Sequence, residues 1–195
     1  MHIDTDHDDD WSDTHPRDGV RRVVGSFGAS ARNLTEQTFA PGLAGALSAL
    51  ETFYFALNTA QLDLVVDNWA THPLVQMDNP LGGVTRGRPA LRNVYDRLFR
   101  SGARLVVTLS EITMYVGVDH VVFAGRENGT FVDPSTGDEV SVEIRTNRYF
   151  RHETTVGRWR QFHHHGSVDD VASLSAYRTS VASHDLSVDN ERSKS

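Results

Sequence analysis

Residues 146–170, TNRYFRHETTVGRWRQFHHHGSVDD, carry the pattern that decides the fold. Aromatic and β-branched residues lie on both sides of the turn-like segment ETTVGR at 153–158, as in a β-hairpin. The second half ends in three consecutive histidines, His163 to His165. We therefore expect the last two strands of a sheet here, with the histidines towards the end of the final strand.

The segments before this hairpin also read as strands. Segments 104–117 and 120–133 are rich in Val, Thr and aromatic residues, and a tight link at 117–119 joins them. The turn PSTGDE then leads into segment 140–152. The sequence after Gly102 therefore predicts four long strands connected by short turns.

The segments before Gly102 predict helices. Apolar residues at helical spacing from Leu43 to Leu57 indicate a long helix, and a break at Asn58 precedes a short helix over 61–69. Segment 73–80 predicts a short strand, and Pro89 opens a third helix that ends at Gly102. This order predicts an α+β fold in which three N-terminal helices pack on one face of a curved antiparallel sheet.

Composition narrows the classes of partner. The chain has 195 residues, a formal net charge of −7 and no cysteine, which favours one domain and excludes disulfides and thiolate chemistry. No segment is dense in Lys or Arg, so nucleic acid and anionic membranes are not expected partners. No apolar run approaches the roughly 18 residues of a membrane helix. We predict a cytoplasmic protein.

The two ends of the chain differ from its middle. The first 18 residues are dense in Asp and nearly without aliphatic side chains, and such a segment cannot offset its ordering entropy. We assign residues 1–40 to an acidic, largely disordered arm, residues 41–171 to the folded domain and residues 172–195 to a polar tail.

Three segments, in this order, resemble the SnoaL-like and ketosteroid isomerase-homologue branch of the nuclear transport factor 2-like superfamily. They are ALETFYFALNTAQLDLV (49–65), VQMDNPLGGVTRGRPAL (75–91) and the opening stretch 146–170. RWRQFHHHGS also resembles the last strand of the association domain of calcium/calmodulin-dependent protein kinase II. The resemblance implies a cone-shaped sheet with a small-molecule pocket at its wide end and homodimerisation through the sheet. It does not select a chemistry.

Strand alternation and the resemblance together nominate pocket residues. If Trp159 begins the last strand, then Trp159, His163 and His165 share one face and His164 lies on the other. The resemblance places the first set on the concave side, and it matches Arg126 and Arg148 to pocket arginines. A β-bulge would invert any of these facings. The remaining ligand-binding candidates are Asn79 and Tyr54.

The candidate catalytic residues are His163, His165 and Asp78. An imidazole exchanges protons near neutral pH, and a carboxylate can orient it. The resemblance implies an isomerase, cyclase or dehydratase that acts on a polar carbonyl compound without a cofactor. It also places the base of the ketosteroid isomerases at Asn79, whose amide cannot abstract a proton. Asp78 would serve as that base only if the strand end twists inwards.

Several alternatives stay open at this stage. The cone could hold a small anion without turnover, or act only as a dimerisation module, and the sequence does not identify the ligand. Arg126 and Arg148 could instead form ion pairs with Glu111, Glu127 or Glu143. A His-x-His pair on a strand can bind a metal ion only with a third ligand, and no spacing specifies one. We therefore predict no metal and no cofactor.

Overall fold

The computed structural model describes residues 19–80, 82–133 and 136–168, together with Ser175. Most of the predicted polar tail (172–195) and the first 18 residues of the predicted acidic arm lie outside the described residues.

Three α-helices form as the sequence predicts: α1 (Gly42–Asn58), α2 (Leu62–Asp67) and α3 (Arg88–Arg100). The Asn58 side chain fixes the break after α1, because its amide donates to the carbonyl of Val107 and its oxygen accepts from the Val107 amide. Pro89 occupies the first turn of α3, where its missing N–H costs no hydrogen bond. A 3₁₀ helix at Thr35–Phe39 precedes α1.

Seven strands form one sheet in the order β1-β4-β5-β6-β7-β2-β3. Their bounds are β1 Val20–Arg22, β2 Gln76–Asp78, β3 Val84–Arg86, β4 Val106–Val116, β5 His120–Val132, β6 Glu139–Glu153 and β7 Arg158–Val168. The four long predicted strands are confirmed, and so is the α+β class. The sheet is mixed and not wholly antiparallel, because β2 pairs parallel to β7.

The folded part begins earlier than residue 41. Within the segment assigned to the arm, β1 pairs with β4, and the backbone of Phe27 bridges to Leu109. The Phe27 side chain is buried in the main core. Residues 19–40 were assigned to the arm because Gly and Ser dilute the strand pattern there, yet they add an edge strand and a core side chain.

The helices cover one face of the sheet, called here the inner face, and the opposite face is called the outer face. Side chains of α1, α2, α3 and alternate strand positions form a single main core. Trp159 packs against α1 at Gly45, where a methyl group would collide with the indole ring. This close contact fixes the distance between α1 and the start of β7.

Two β-bulges set which side chains reach the inner face. One lies in β4 between Ser110 and Thr113, where Glu111 adopts a positive φ of 52°. The other lies in β7, where Tyr149 pairs with His163 but Phe150 pairs with Gln161, so that Phe162 is the additional residue. A bulge of this kind reverses the alternation of side chains beyond it.

Candidate functional site

The β7 bulge reverses the predicted facing of the histidines. Beyond Phe162, His164 pairs with Arg148 and is 4% exposed, whereas His163 and His165 project from the outer face. The prediction that His163 and His165 share a hollow with Arg148 is therefore wrong. His164, expected to face outwards, lies on the inner face beside Arg148.

Arg148 is the centre of the polar residues on the inner face. Its Nη2 donates to Glu127 Oε1 at 2.7 Å, its Nε donates to the Tyr54 hydroxyl at 2.9 Å, and its Nη1 donates to Gln161 Oε1 at 3.1 Å. Tyr54 also donates to Glu127 Oε1 at 2.6 Å. These four residues and His164 are called here the inner polar cluster.

The five members come from four different elements. Tyr54 lies on α1, Glu127 on β5, Arg148 on β6, and Gln161 and His164 on β7. The Arg148 guanidinium also lies 3.8 Å from the centroid of the Phe53 ring, a cation–π contact. The structure brings Tyr54 and Arg148 into contact inside the fold, and the alternative that Arg148 forms an ion pair with Glu127 is confirmed.

The electrostatics of the cluster follow from burial and from the ion pair. Burial lowers the pKa of Arg148, but Tyr54 and Glu127 raise it more, so the guanidinium stays charged. Burial raises the pKa of Tyr54 well above its usual value and keeps the phenol protonated. Burial, reinforced by Arg148, lowers the pKa of His164 well below its usual value. The cluster therefore holds one ion pair and a neutral imidazole.

The hydrogen bonds of His164 leave one ring nitrogen without a partner. His164 Nε2 lies 3.0 Å from Thr146 Oγ1, and the same hydroxyl lies 3.3 Å from the His165 carbonyl. If Thr146 donates to that carbonyl, its oxygen accepts the Nε2 proton and Nδ1 carries the lone pair. Among the described residues, neither His164 Nδ1 nor Gln161 Nε2 has a hydrogen-bond partner, although both are buried.

The three predicted catalytic residues meet on the outer face. Asp78 Oδ2 lies 3.3 Å from His163 Nε2 and 3.4 Å from His165 Nδ1. Asp78, His163 and His165 are called here the outer histidine cluster. Ser167 Oγ lies 2.9 Å from the second nitrogen of His165. Burial raises the pKa of Asp78, but hydrogen bonds from His165, Gln76 and His163 lower it below its ordinary value. Asp78 does not twist towards the inner face.

The other candidate residues lie in different places. Arg126 pairs with Arg145 across the sheet, faces outwards and has its Nε 3.6 Å from Glu111 Oε2, so it does not join Arg148. Trp159 lies in the core against α1. The backbone of Asn79 lies in the turn between β2 and β3, where its carbonyl accepts from Gly82.

Sequence reasoning missed three members of the inner face: Glu127, Gln161 and His164. A signal for Glu127 was present, since it shares strand parity with the apolar Val121, Phe123 and Phe131. Gln161 shares strand parity with Trp159, but a glutamine beside three histidines gives no signal of its own. No local signal marks the bulge that turns His164 inwards.

The described part of the chain offers neither a group of side chains placed as metal ligands nor a membrane-spanning helix. Within it, no three His, Asp or Glu side chains are grouped so that they could hold a metal ion. None of the helices found there is long and apolar enough to cross a bilayer.

The seven-stranded sheet and the helices packed on its inner face define an α+β protein. Residues 46–170 match the model of the SnoaL-like domain, so the chain belongs to the SnoaL-like family. This confirms the family that the three sequence segments indicated. None of the curated proteins compared with the chain matches it.

Solved structures share the fold at low identity. A provisionally assigned dehydratase of the NTF2-like family from Streptomyces avermitilis is 18% identical, with a TM-score of 0.57 over 69% of this chain and 95% of that chain. A provisionally assigned calcium/calmodulin-dependent protein kinase II association domain from Xanthomonas campestris is 23% identical, with a TM-score of 0.57 over 68% and 91%. A ketosteroid isomerase-like protein from Erwinia carotovora is 18% identical, with a TM-score of 0.56 over 66% and 96%.

Proposed function

We propose that this protein binds a small, uncharged carbonyl compound at the inner polar cluster. The observation that carries the proposal is the pair of buried, unpartnered polar atoms, Gln161 Nε2 and His164 Nδ1, beside Arg148. A buried donor without a partner costs about 1–3 kcal/mol, and a ligand that accepts from it recovers this cost. The SnoaL-like fold is consistent with a small-molecule-binding protein of the isomerase or dehydratase type.

The ion pair argues for an uncharged ligand. Arg148 is compensated by Glu127 at 2.7 Å, and both side chains are almost fully buried. An anion placed beside this pair would add an uncompensated buried charge, whereas a carbonyl oxygen needs only a donor such as the Gln161 amide. The alternative of an anion held by Arg126 and Arg148 therefore loses its physical basis, since these two side chains lie on opposite faces.

In the enzymatic form of the proposal, His164 Nδ1 removes a proton from a carbon next to the ligand carbonyl. The Gln161 amide donates to the oxygen on which negative charge develops. Return of the proton to a different carbon completes an isomerisation. Transfer of the proton to a β-hydroxyl group, which then leaves as water, completes a dehydration. Neither sequence needs a cofactor.

A second candidate is acid–base chemistry at the outer histidine cluster. It is favoured by the single Asp78 oxygen that lies within 3.4 Å of both His163 and His165. A carboxylate in this position would orient either imidazole through a hydrogen bond. His163 and His165 would then exchange protons with a ligand bound on the outer face, and Asp78 would support them.

A ligand screen separates the two sites. We expect p-hydroxyacetophenone and related neutral aromatic ketones, tested as a panel, to include compounds that raise the melting temperature in a saturable way. Benzoate, an anion of similar size, should have no such effect. Gln161→Leu should weaken binding of the best ketone by roughly tenfold, about the value of one buried hydrogen bond.

The matched controls are His163→Ala and His165→Ala, which change the outer histidine cluster alone. They should leave the ketone affinity unchanged if the inner site binds it. A loss of affinity in these two variants, with Gln161→Leu unaffected, would transfer the site to the outer face. Turnover of a bound ketone distinguishes an enzyme from a binding protein. Turnover is measured as proton exchange between the ketone and deuterated water.

We also propose a homodimer that forms through the outer face of the sheet. Supporting this, the long strands carry three partly exposed apolar side chains, those of Val122, Tyr149 and Phe162. The rings of Tyr149 and Phe162 meet edge to face, with their centroids 6.2 Å apart. Exposed apolar groups on a sheet face favour burial against a second copy.

Light scattering should give twice the chain mass at micromolar concentration, and Tyr149→Asp should shift the protein to the monomer. The control Val118→Asp changes a fully exposed side chain in the β4–β5 turn and should leave the dimer intact. A wild-type monomer at micromolar concentration would contradict the proposal.

A further inference from the structure

An arginine-rich cluster lies where the end of α2, the start of α3 and the β6–β7 hairpin meet. It contains Arg88, Arg158 and Arg160, together with the carboxylates of Asp67 and Glu153. None of these residues belongs to the inner polar cluster or to the outer histidine cluster. We propose that this arginine cluster binds one oxyanion group, a carboxylate or a phosphate, of a small molecule.

The first argument is the balance of charge. Arg158 Nη1 and Arg160 Nη2 donate to the two oxygens of Asp67 at 2.8 and 2.9 Å, and Arg88 Nη2 lies 3.6 Å from the same carboxylate. Arg160 Nη1 also donates to Glu153 at 3.3 Å. Three guanidinium groups thus share two carboxylates, which leaves an excess of one positive charge.

The second argument is the set of donors left without partners. Arg158 Nε and Nη2 and Arg160 Nε are buried, and none has a hydrogen-bond partner among the residues that the structure describes. The Arg158 side chain is 8% exposed. Nε and Nη2 form the side-on fork of a guanidinium, which matches the two oxygens of a carboxylate or phosphate. The complete fork of Arg158 is therefore available to an oxyanion.

The third argument is access to the cluster. Asp67 and Arg88 are 38% and 24% exposed, so the cluster reaches the surface. The half-exposed Phe39 ring lies 5.4 Å from Arg158 Cζ and covers a face of the guanidinium, which leaves the in-plane fork of Nε and Nη2 clear of this ring. Burial, together with Arg160 and Arg158, lowers the pKa of Arg88, as expected beside uncompensated positive charge.

The test is a titration of the full chain with inorganic phosphate and, separately, with formate, while sodium chloride holds the ionic strength constant. Thermal unfolding is followed by tryptophan fluorescence. At least one oxyanion should raise the melting temperature in a saturable way, by roughly 5 °C at 100 times its Kd. The two titrations distinguish a phosphate ligand from a carboxylate ligand.

Arg158→Gln should abolish the saturable rise. The control is Arg92→Gln, which removes an arginine of α3 that pairs with Asp63 outside the cluster. This variant should retain the saturable rise in melting temperature. If Arg158→Gln does not fold, Arg88→Gln removes a partly exposed member and should raise the half-saturating concentration roughly tenfold. The proposal is overturned if neither oxyanion exceeds the effect of chloride, or if a folded cluster variant retains the wild-type midpoint. Either result leaves the proposed ligand site at Gln161 and His164 untouched.

Discussion

Replacing Glu127 with alanine should lower the free energy of unfolding by about 3–5 kcal/mol, the usual cost of removing one partner from a buried ion pair. The Arg148 side chain is 2% exposed, and Glu127 supplies its only carboxylate partner among the bonds described above. Without Glu127, the guanidinium keeps Tyr54 and Gln161, neither of which compensates its charge. Urea unfolding at pH 7 measures the change.

Two further variants separate the loss of charge balance from the loss of packing. Glu127→Leu combined with Arg148→Met replaces both charges with apolar groups and should recover a large part of the stability. Glu143→Gln changes an exposed glutamate on the neighbouring strand and should alter the stability by no more than about 0.5 kcal/mol. A loss below about 1 kcal/mol for Glu127→Ala would mean that water reaches Arg148 in the folded state.

The second large effect concerns pH and His164. Its pKa in the folded protein lies well below the value of 6.5 of an unperturbed histidine, because the ring is buried beside Arg148. Below pH 6.5 the unfolded chain therefore binds a proton that the folded chain does not. The contribution of His164 to the free energy of unfolding is fully present above pH 6.5. It falls as the pH decreases towards the folded pKa, by up to about 1.4 kcal/mol per pH unit.

Urea unfolding between pH 7 and pH 5 should show a loss of about 2 kcal/mol in the wild type that is absent from His164→Gln. The comparison with His72→Gln controls for the loss of a histidine as such, since His72 is exposed and far from the inner polar cluster in sequence. This control should retain the wild-type slope. Equal slopes in the wild type and in His164→Gln would show that His164 is accessible to protons in the folded protein.

Local sequence patterns predicted most of the fold. The three helices and four long strands follow from apolar spacing, Pro89 and the glycine-rich turns, all of which act over a few residues. The short strands β1 and β3 have only three residues each, and a three-residue strand is too short for alternation to be read. The parallel pairing of β2 with β7 joins residues 76–78 to residues 163–165 and has no local signal.

The candidate sites were predicted in part. Asp78, His163 and His165 were expected to act together, and the structure does bring them together, because β2 lies in register beside β7. The face predicted for His163 and His165 was wrong because one additional residue in β7, Phe162, shifts the alternation of side chains. A bulge depends on long-range pairing of the whole sheet, so a single sequence cannot fix its position. Glu127 was predictable from parity alone, and the arginine cluster was not, since it joins three distant segments.

The β2–β7 pairing also bears on how the chain folds. Strands β2 and β3 leave the ribosome before β7, yet the neighbour that β2 requires in the sheet is the last of the described strands to be synthesised. Contacts between such distant segments raise the contact order, and a high contact order slows folding. We therefore expect the edge of β2 that β7 covers to stay unpaired until synthesis has passed Val168, which leaves the nascent chain open to aggregation during this interval.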